Sequence, residues 1–88
     1  MPEVTVYATA TCPYCTRARR LLEKKGVRYT EIRVDQDPER RAEMTKRTGR
    51  TSVPQIFIGD RHIGGYDDTA ALDAQGELDS LLGLAHNG

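Results

Sequence analysis

The chain has no tryptophan, one phenylalanine and only two cysteines among its 88 residues. Two cysteines are too few for the disulfide framework that staples small secreted domains together. Only two residues separate them, so the ring they can close is too small to add much chain-entropy stabilisation. No apolar run approaches the roughly 18–20 residues that a membrane-spanning helix requires. The opening stretch, Met1-Pro2-Glu3-Val4, has neither a basic region nor an apolar core, so a secretory signal is not expected. Net charge is missing too, because 13 basic residues balance 13 acidic ones. That balance, with no aromatics interleaved among the bases, disfavours a nucleic-acid partner. These absences lead to the expectation of a cytoplasmic protein with no membrane association, whose cysteines do redox or metal chemistry in a reducing compartment.

What is present reads as one globular domain spanning 1–88, with its core over about 3–83. Hydrophobic residues make up 38% and charged residues 30%, in the range of soluble domains. A core of this size leaves room for a shallow surface groove rather than a deep cleft. The charge is unevenly spread. Residues 12–28 hold Arg17, Arg19, Arg20, Lys24, Lys25 and Arg28 against Glu23 alone, a local +5. Residues 60–88 hold Asp60, Asp67, Asp68, Asp73, Glu77 and Asp79 against Arg61 alone, a local −5. The basic run reads either as a solvated helix face or as a positive field beside the cysteines that attracts anions.

Val4-Thr5-Val6-Tyr7 is β-branched and aromatic, the composition of a strand. After the cysteines, Cys15, Ala18 and Leu22 recur at helical spacing to about Lys25, and Gly26 stops the helix. Tyr29 to Val34 alternates as a second strand. Asp37-Pro38 opens a second helix, which runs to about Arg47 before Gly49. Gln55-Ile56-Phe57-Ile58 reads as a buried strand, and Gly59-Asp60 turns it into a short strand at Arg61-His62-Ile63. Asp67 is expected to cap a helix from about Asp68 to Ala74, followed beyond Gly76 by a short one to about Leu82. The order β-α-β-α-β-β-α is that of an α/β protein. A right-handed parallel βαβ unit extended by a hairpin makes a four-stranded mixed sheet flanked by helices, a thioredoxin-like fold.

Cys12-Pro13-Tyr14-Cys15 falls where the first strand ends and the first helix begins. Pro13 suits the first helical position, where its missing N–H would have no partner in any case. Cys12 then stands at the cap, facing the free N–H groups of the first turn, and a thiolate there is stabilised by those donors and by the helix dipole. Cys15, three residues on, shares that helix face and can close a disulfide. This arrangement makes Cys12 the attacking sulfur and Cys15 the resolving one. Half of a zinc site is the alternative, but no further cysteines supply the other half, and His62 and His86 lack finger-like spacing. A site shared between two chains stays open, although no metal is expected.

Thr11-Cys12-Pro13-Tyr14-Cys15 resembles the active site of dithiol glutaredoxins. Thr51-Ser52-Val53-Pro54 and Gly64-Gly65-Tyr66-Asp67-Asp68 match the same family in the same order, and Gly49-Arg50 with Gln55-Ile56-Phe57-Ile58 is most similar to the bacterial glutaredoxin 3 type. The resemblance runs from about Val4 to Leu82. It implies a glutathione-dependent disulfide oxidoreductase, acting as a monomer with glutathione as reducing co-substrate and recycled through glutathione reductase. Its partners would be disulfide-containing or glutathionylated proteins, ribonucleotide reductase among the candidates. The resemblance also implies a cis Val53–Pro54 bond, with the Val53 backbone pairing with glutathione like an added strand. Gly65 and Asp67 would hold the γ-glutamyl carboxylate at a helix start, Asp68 the ammonium, Arg41 the glycine carboxylate, and Tyr14 one wall of the groove. Where many glutaredoxins carry a lysine three residues before the first cysteine, this chain has Thr9; Arg41 and Arg17 are the residues that can compensate. Two other readings remain at this point. One is a redoxin reduced by thioredoxin reductase and dedicated to ribonucleotide reductase. The other is an iron–sulfur carrier dimer ligated by Cys12 and glutathione.

Overall fold

Strand β1 (Val4–Ala8) is followed by helix α1 (Pro13–Lys24), β2 (Thr30–Arg33) and α2 (Pro38–Thr48) in the computed structural model, which describes residues 2–84. Then come β3 (Gln55–Ile58), β4 (Arg61–Gly64), α3 (Tyr66–Ala74) and the short α4 (Leu78–Leu81). His86 and the last residues of the expected 1–88 domain lie outside the described part. The sheet order is β2-β1-β3-β4, with β1 parallel to β2 and antiparallel to β3, and β3 antiparallel to β4. This is the expected thioredoxin-like mixed sheet. The parallel pair needs a crossover, which α1 supplies, whereas the antiparallel β3–β4 pair needs only the Gly59-Asp60 turn.

Alternation along the two central strands divides the interior. Val4, Val6 and Ala8 of β1, with Ile56 and Ile58 of β3, meet Cys15, Ala18 and Leu22 of α1 and Leu78 and Leu82 near the C-terminal end. On the other face Tyr7 and Phe57 meet Val34 and Met44. Both faces are therefore covered, so β3 is buried at all four positions, which is why it reads as an unbroken run and not as an alternating one. Each such aliphatic side chain contributes roughly 1.5–3 kcal/mol on full burial.

Helix α2 buries only Met44 and is held by polar means. The Asp37 carboxylate accepts from the N–H groups of Glu39 (3.0 Å) and Arg40 (3.3 Å). Gly49 ends the helix at φ 71°, a left-handed conformation that costs glycine nothing. Beneath it the buried Tyr7 hydroxyl donates to Glu43 at 2.6 Å and accepts from Arg47 at 2.8 Å, while the Arg47 guanidinium lies 3.9 Å from the Phe57 ring centre.

One boundary needs correction. Asp67 does not cap α3. The helix starts at Tyr66 with Gly65 as its cap residue, and the Asp68 carboxylate reaches back to the Gly65 N–H at 3.0 Å. The cause is Gly64, whose φ of 123° swings the chain into the helix earlier than a side chain would allow. A Cβ at Gly64 would collide with the Asp68 carboxylate. Strand β2 is also shorter than the alternation from Tyr29 to Val34 indicates, although the Val34 N–H still donates to Ala8 at 3.0 Å.

Candidate active site

Three chain segments converge at the C-terminal end of β1. The first is the cap of α1. Cys12 has extended backbone angles (φ −93°, ψ 116°), so the chain leaves the strand and enters the helix through this residue, with Pro13 at the first helical position. Its sulfur accepts the Cys15 N–H at 3.2 Å. The second segment is the loop before β3, where the Val53–Pro54 bond is cis, as the resemblance implies. The Val53 carbonyl faces the Cys12 sulfur at 3.7 Å and accepts its thiol proton. The third is the β4–α3 junction at Gly64-Gly65, where a Cβ on Gly65 would lie 3.5 Å from the Pro54 carbonyl oxygen.

The two cysteines are unbridged and differ in access, Cys12 being half-buried and Cys15 fully buried. Burial, followed by the hydrogen bond shared with Cys12, pushes the Cys15 thiol up to about 11, while the Thr9 backbone and Arg19 oppose the shift. Cys15 therefore remains a protonated thiol at neutral pH, lying under a sulfur that has the backbone donor and the solvent access.

Val53, whose carbonyl faces the Cys12 sulfur, also lines a shallow groove of about 150 Å³ bounded by Tyr14, Tyr66, Gly65, Asp67 and Arg50. The Tyr14 and Tyr66 ring centres are 6.4 Å apart. Asp68 stands at the same junction, with its carboxylate 3.3 Å from Arg50. Thus Tyr14, Val53, Pro54, Gly65 and Asp67 line one groove, and Asp68 adjoins it through Arg50. Arg41 is not among them. It is exposed on α2, and among the described residues its guanidinium makes no hydrogen bond or ion pair. The cation in the groove is Arg50. Larger cavities open elsewhere, among them one of about 430 Å³ against Val27, Tyr29 and Leu82, one of about 440 Å³ against Tyr7, Glu43 and Arg47 and one of about 510 Å³ against Ile32, Gln36 and Arg40, and none of the three is lined by Val53 or a cysteine. Among the described residues no three His, Cys, Asp or Glu side chains are gathered as a metal site would need.

Sequence reasoning gave no role to Gln55, which is buried at the start of β3. Its Nε2 donates to the Ser52 carbonyl at 3.0 Å and to the Ser52 hydroxyl at 3.3 Å. A carbonyl only accepts, so Oε1 must face His62, whose Nε2 lies 2.7 Å away and is therefore the protonated ring nitrogen. Burial lowers the His62 pKa, which favours this neutral Nε2–H form. The pair thus ties the Val53 loop to β4. A polar residue opening an apolar strand was the only signal of it in the sequence. Gln55→Leu is expected to orphan the Ser52 carbonyl, at about 1–3 kcal/mol, and to loosen Val53. Thermal melting should fall by several degrees and the rate of disulfide exchange at Cys12 should drop several-fold, with Cys12 alkylation unchanged. An unchanged exchange rate in a destabilised variant would leave Gln55 a purely structural residue.

Residues 4–63 match the family model for glutaredoxin. The chain is 55% identical over 82 residues to a glutaredoxin of Pseudomonas aeruginosa, an alignment covering 93% of this chain and 98% of that one. It is 56% identical over 82 residues to glutaredoxin 3 of Escherichia coli K12, covering 93% and 99%. Among solved structures, the buckwheat glutaredoxin–glutathione complex superposes with a TM-score of 0.87 at 32% identity, over 96% of this chain and 83% of that one. The solution structure of a Brucella melitensis glutaredoxin gives 0.83 at 52% identity, over 93% and 89%. With its sequence matched along most of its length and its dithiol at the mouth of the same fold, the chain belongs to the glutaredoxin family.

Proposed function

We propose that the protein reduces protein disulfides and glutathione mixed disulfides through the Cys12/Cys15 dithiol, with glutathione as the electron source and the cytoplasm as its compartment. One observation carries this reading. The Cys12 sulfur sits between a backbone donor, the Cys15 N–H, and a backbone acceptor, the carbonyl of Val53, a residue that also lines an open groove. The Cys12 thiolate attacks a sulfur of the target disulfide, forming a mixed disulfide and releasing the other sulfur as a thiolate. Cys15 gives up its proton and attacks Cys12, which frees the second target sulfur and leaves a Cys12–Cys15 disulfide. Two glutathiones then restore both thiols and leave as glutathione disulfide, which glutathione reductase recycles.

Glutathione fits the groove as an extended strand. The Val53 N–H makes no hydrogen bond among the described residues, so it and the adjacent carbonyl can pair with the cysteinyl backbone. The N–H groups at the start of α3, beside Gly65 and Asp67, suit the γ-glutamyl carboxylate, and Asp68 suits the ammonium. Arg50 is paired with Asp68 at 3.3 Å and so stands at the γ-glutamyl end of the groove; the glycine carboxylate, at the other end of an extended glutathione, is left to the exposed Arg41 of α2. Protein partners such as ribonucleotide reductase would present a disulfide to the same face of a monomer.

The test supplies each electron source in turn. NADPH, glutathione reductase and glutathione should sustain rapid reduction of hydroxyethyl disulfide. Turnover with thioredoxin reductase alone would overturn the glutathione reading.

A further inference from the structure

The basic run of α1 is not one uniform solvated face. Arg19 is neutralised by Glu31 at 3.0 Å, and Lys25 by Asp73 at 2.6 Å and Asp79 at 2.8 Å. Arg17, Arg20 and Lys24 are exposed and form no ion pair among the described residues. The one acid within a helical turn of them, Glu23, is engaged by the Tyr29 hydroxyl at 2.9 Å. At about 100° per residue these three bases fall within an arc of about 60°. Tyr14 borders that arc at the dithiol end. It is the one large hydrophobic residue that stands exposed among the described residues, and the Arg17 guanidinium lies 5.3 Å from its ring centre. Cys15 points to the opposite side of the helix, into the core. The stripe therefore faces outward and starts beside the Cys12 sulfur. Like charges four residues apart, at Arg20 and Lys24, weaken a helix, and among the described residues no ion pair offsets them.

We propose that the Tyr14–Arg17–Arg20–Lys24 stripe is a docking surface for target proteins whose reducible disulfide is flanked by carboxylates. This rests on the disulfide-reducing function proposed above. At about 1.5 Å per residue, Arg17 to Lys24 lie roughly 8–18 Å along α1 from Cys12. An extended target rises about 3.3 Å per residue, so its acidic side chains would sit about two to six residues from the attacked cysteine. Tyr14 offers an apolar contact next to the exchanging sulfurs. A protein target fits better than a nucleic acid. The stripe is short, it leads to a thiol, and the rest of the molecule brings net charge to zero.

The experiment compares two disulfide peptides that differ only in carrying Glu or Gln at those flanking positions. The second-order rate of oxidation of the reduced protein is followed by stopped flow at low and high salt. The Glu peptide should react about tenfold faster at low ionic strength, and salt should erase the difference. Arg20→Glu combined with Lys24→Glu should abolish or invert the preference, with hydroxyethyl disulfide turnover by glutathione unchanged. Equal rates for the two peptides with the wild-type protein would overturn the proposal, as would a preference that survives in the double variant. Stronger competition by a DNA oligonucleotide than by the acidic peptide would reassign the stripe to nucleic acid. If hydroxyethyl disulfide turnover itself failed while the peptide preference held, the glutathione reading would fall and the docking surface would stand.

Discussion

Cys12→Ser is expected to lose every thiol-transfer activity, whereas Cys15→Ser is expected to keep one of them. A serine hydroxyl does not ionise near neutral pH and forms no mixed disulfide, so without the Cys12 sulfur there is no first step. Cys15 acts later. Removing glutathione from a glutathionylated protein needs only the accessible sulfur, because a second glutathione can resolve the Cys12–glutathione disulfide. That activity should survive in Cys15→Ser, while reduction of intramolecular protein disulfides by the dithiol route should collapse. The buried state of Cys15 adds a pH signature. With its thiol pushed up to about 11 by burial, alkylation of the reduced protein near pH 7 should modify Cys12 alone. Cys15 should follow only in strongly alkaline solution. The sign for stability is the same: a thiol raised from 9.0 favours the fold below about pH 9, and that contribution is lost as pH rises through about 11. If Cys15→Ser were as inactive as Cys12→Ser toward glutathionylated substrates, the protein would be an obligate dithiol carrier.

Asp68→Lys should raise the apparent KM for glutathione by about tenfold or more. Asp68 has two partners, the Gly65 N–H at 3.0 Å and Arg50 at 3.3 Å. A charge-assisted hydrogen bond contributes about 1.5–3 kcal/mol, and the half-exposure of both side chains in the Arg50 pair brings such contacts toward about 1 kcal/mol. Under the proposed binding mode, charge reversal adds repulsion against the γ-glutamyl ammonium, which restores the larger effect. The same substitution removes the reach back to Gly65, so the start of α3 should also lose stability. Asp68→Asn separates the two roles. Its amide oxygen can still accept from Gly65, so melting should stay near wild type, while loss of the charge should still raise KM. Steady-state kinetics against glutathione, run beside thermal melting, check both variants. Wild-type kinetics in both would reduce Asp68 to a helix-start residue.

Most of the architecture was legible because its causes are local. Asp37-Pro38 and Gly49 mark α2 by capping chemistry confined to a few residues, and the helix spans Pro38–Thr48. The run Gln55–Ile58 reads as a central strand because both of its faces are apolar in sequence, and β3 has those bounds. The dithiol was legible for the same reason, since strand end, Pro13 and the two-residue spacing lie within one short segment. The residues proposed to bind glutathione were not read from periodicity. They came from the resemblance of three separated motifs to a known family.

The order of the 88 residues set where most elements start, which faces are apolar, and that Cys12 caps a helix while Cys15 turns inward. Those features depend on neighbours within a turn or a pleat, whose geometry is the same in any protein. Which polar groups meet depended on folding. Gly65 rather than Asp67 caps α3 because Gly64 takes up a left-handed angle that composition alone does not require. Arg50, not Arg41, faces the groove, and the Cys12 sulfur meets a carbonyl 41 residues away. Of the six bases near the dithiol, Arg19 and Lys25 are neutralised by acids from β2, α3 and the start of α4. Such pairings are governed by how the sheet order stacks the helices, and a long flexible side chain reaches whichever partner that packing brings near.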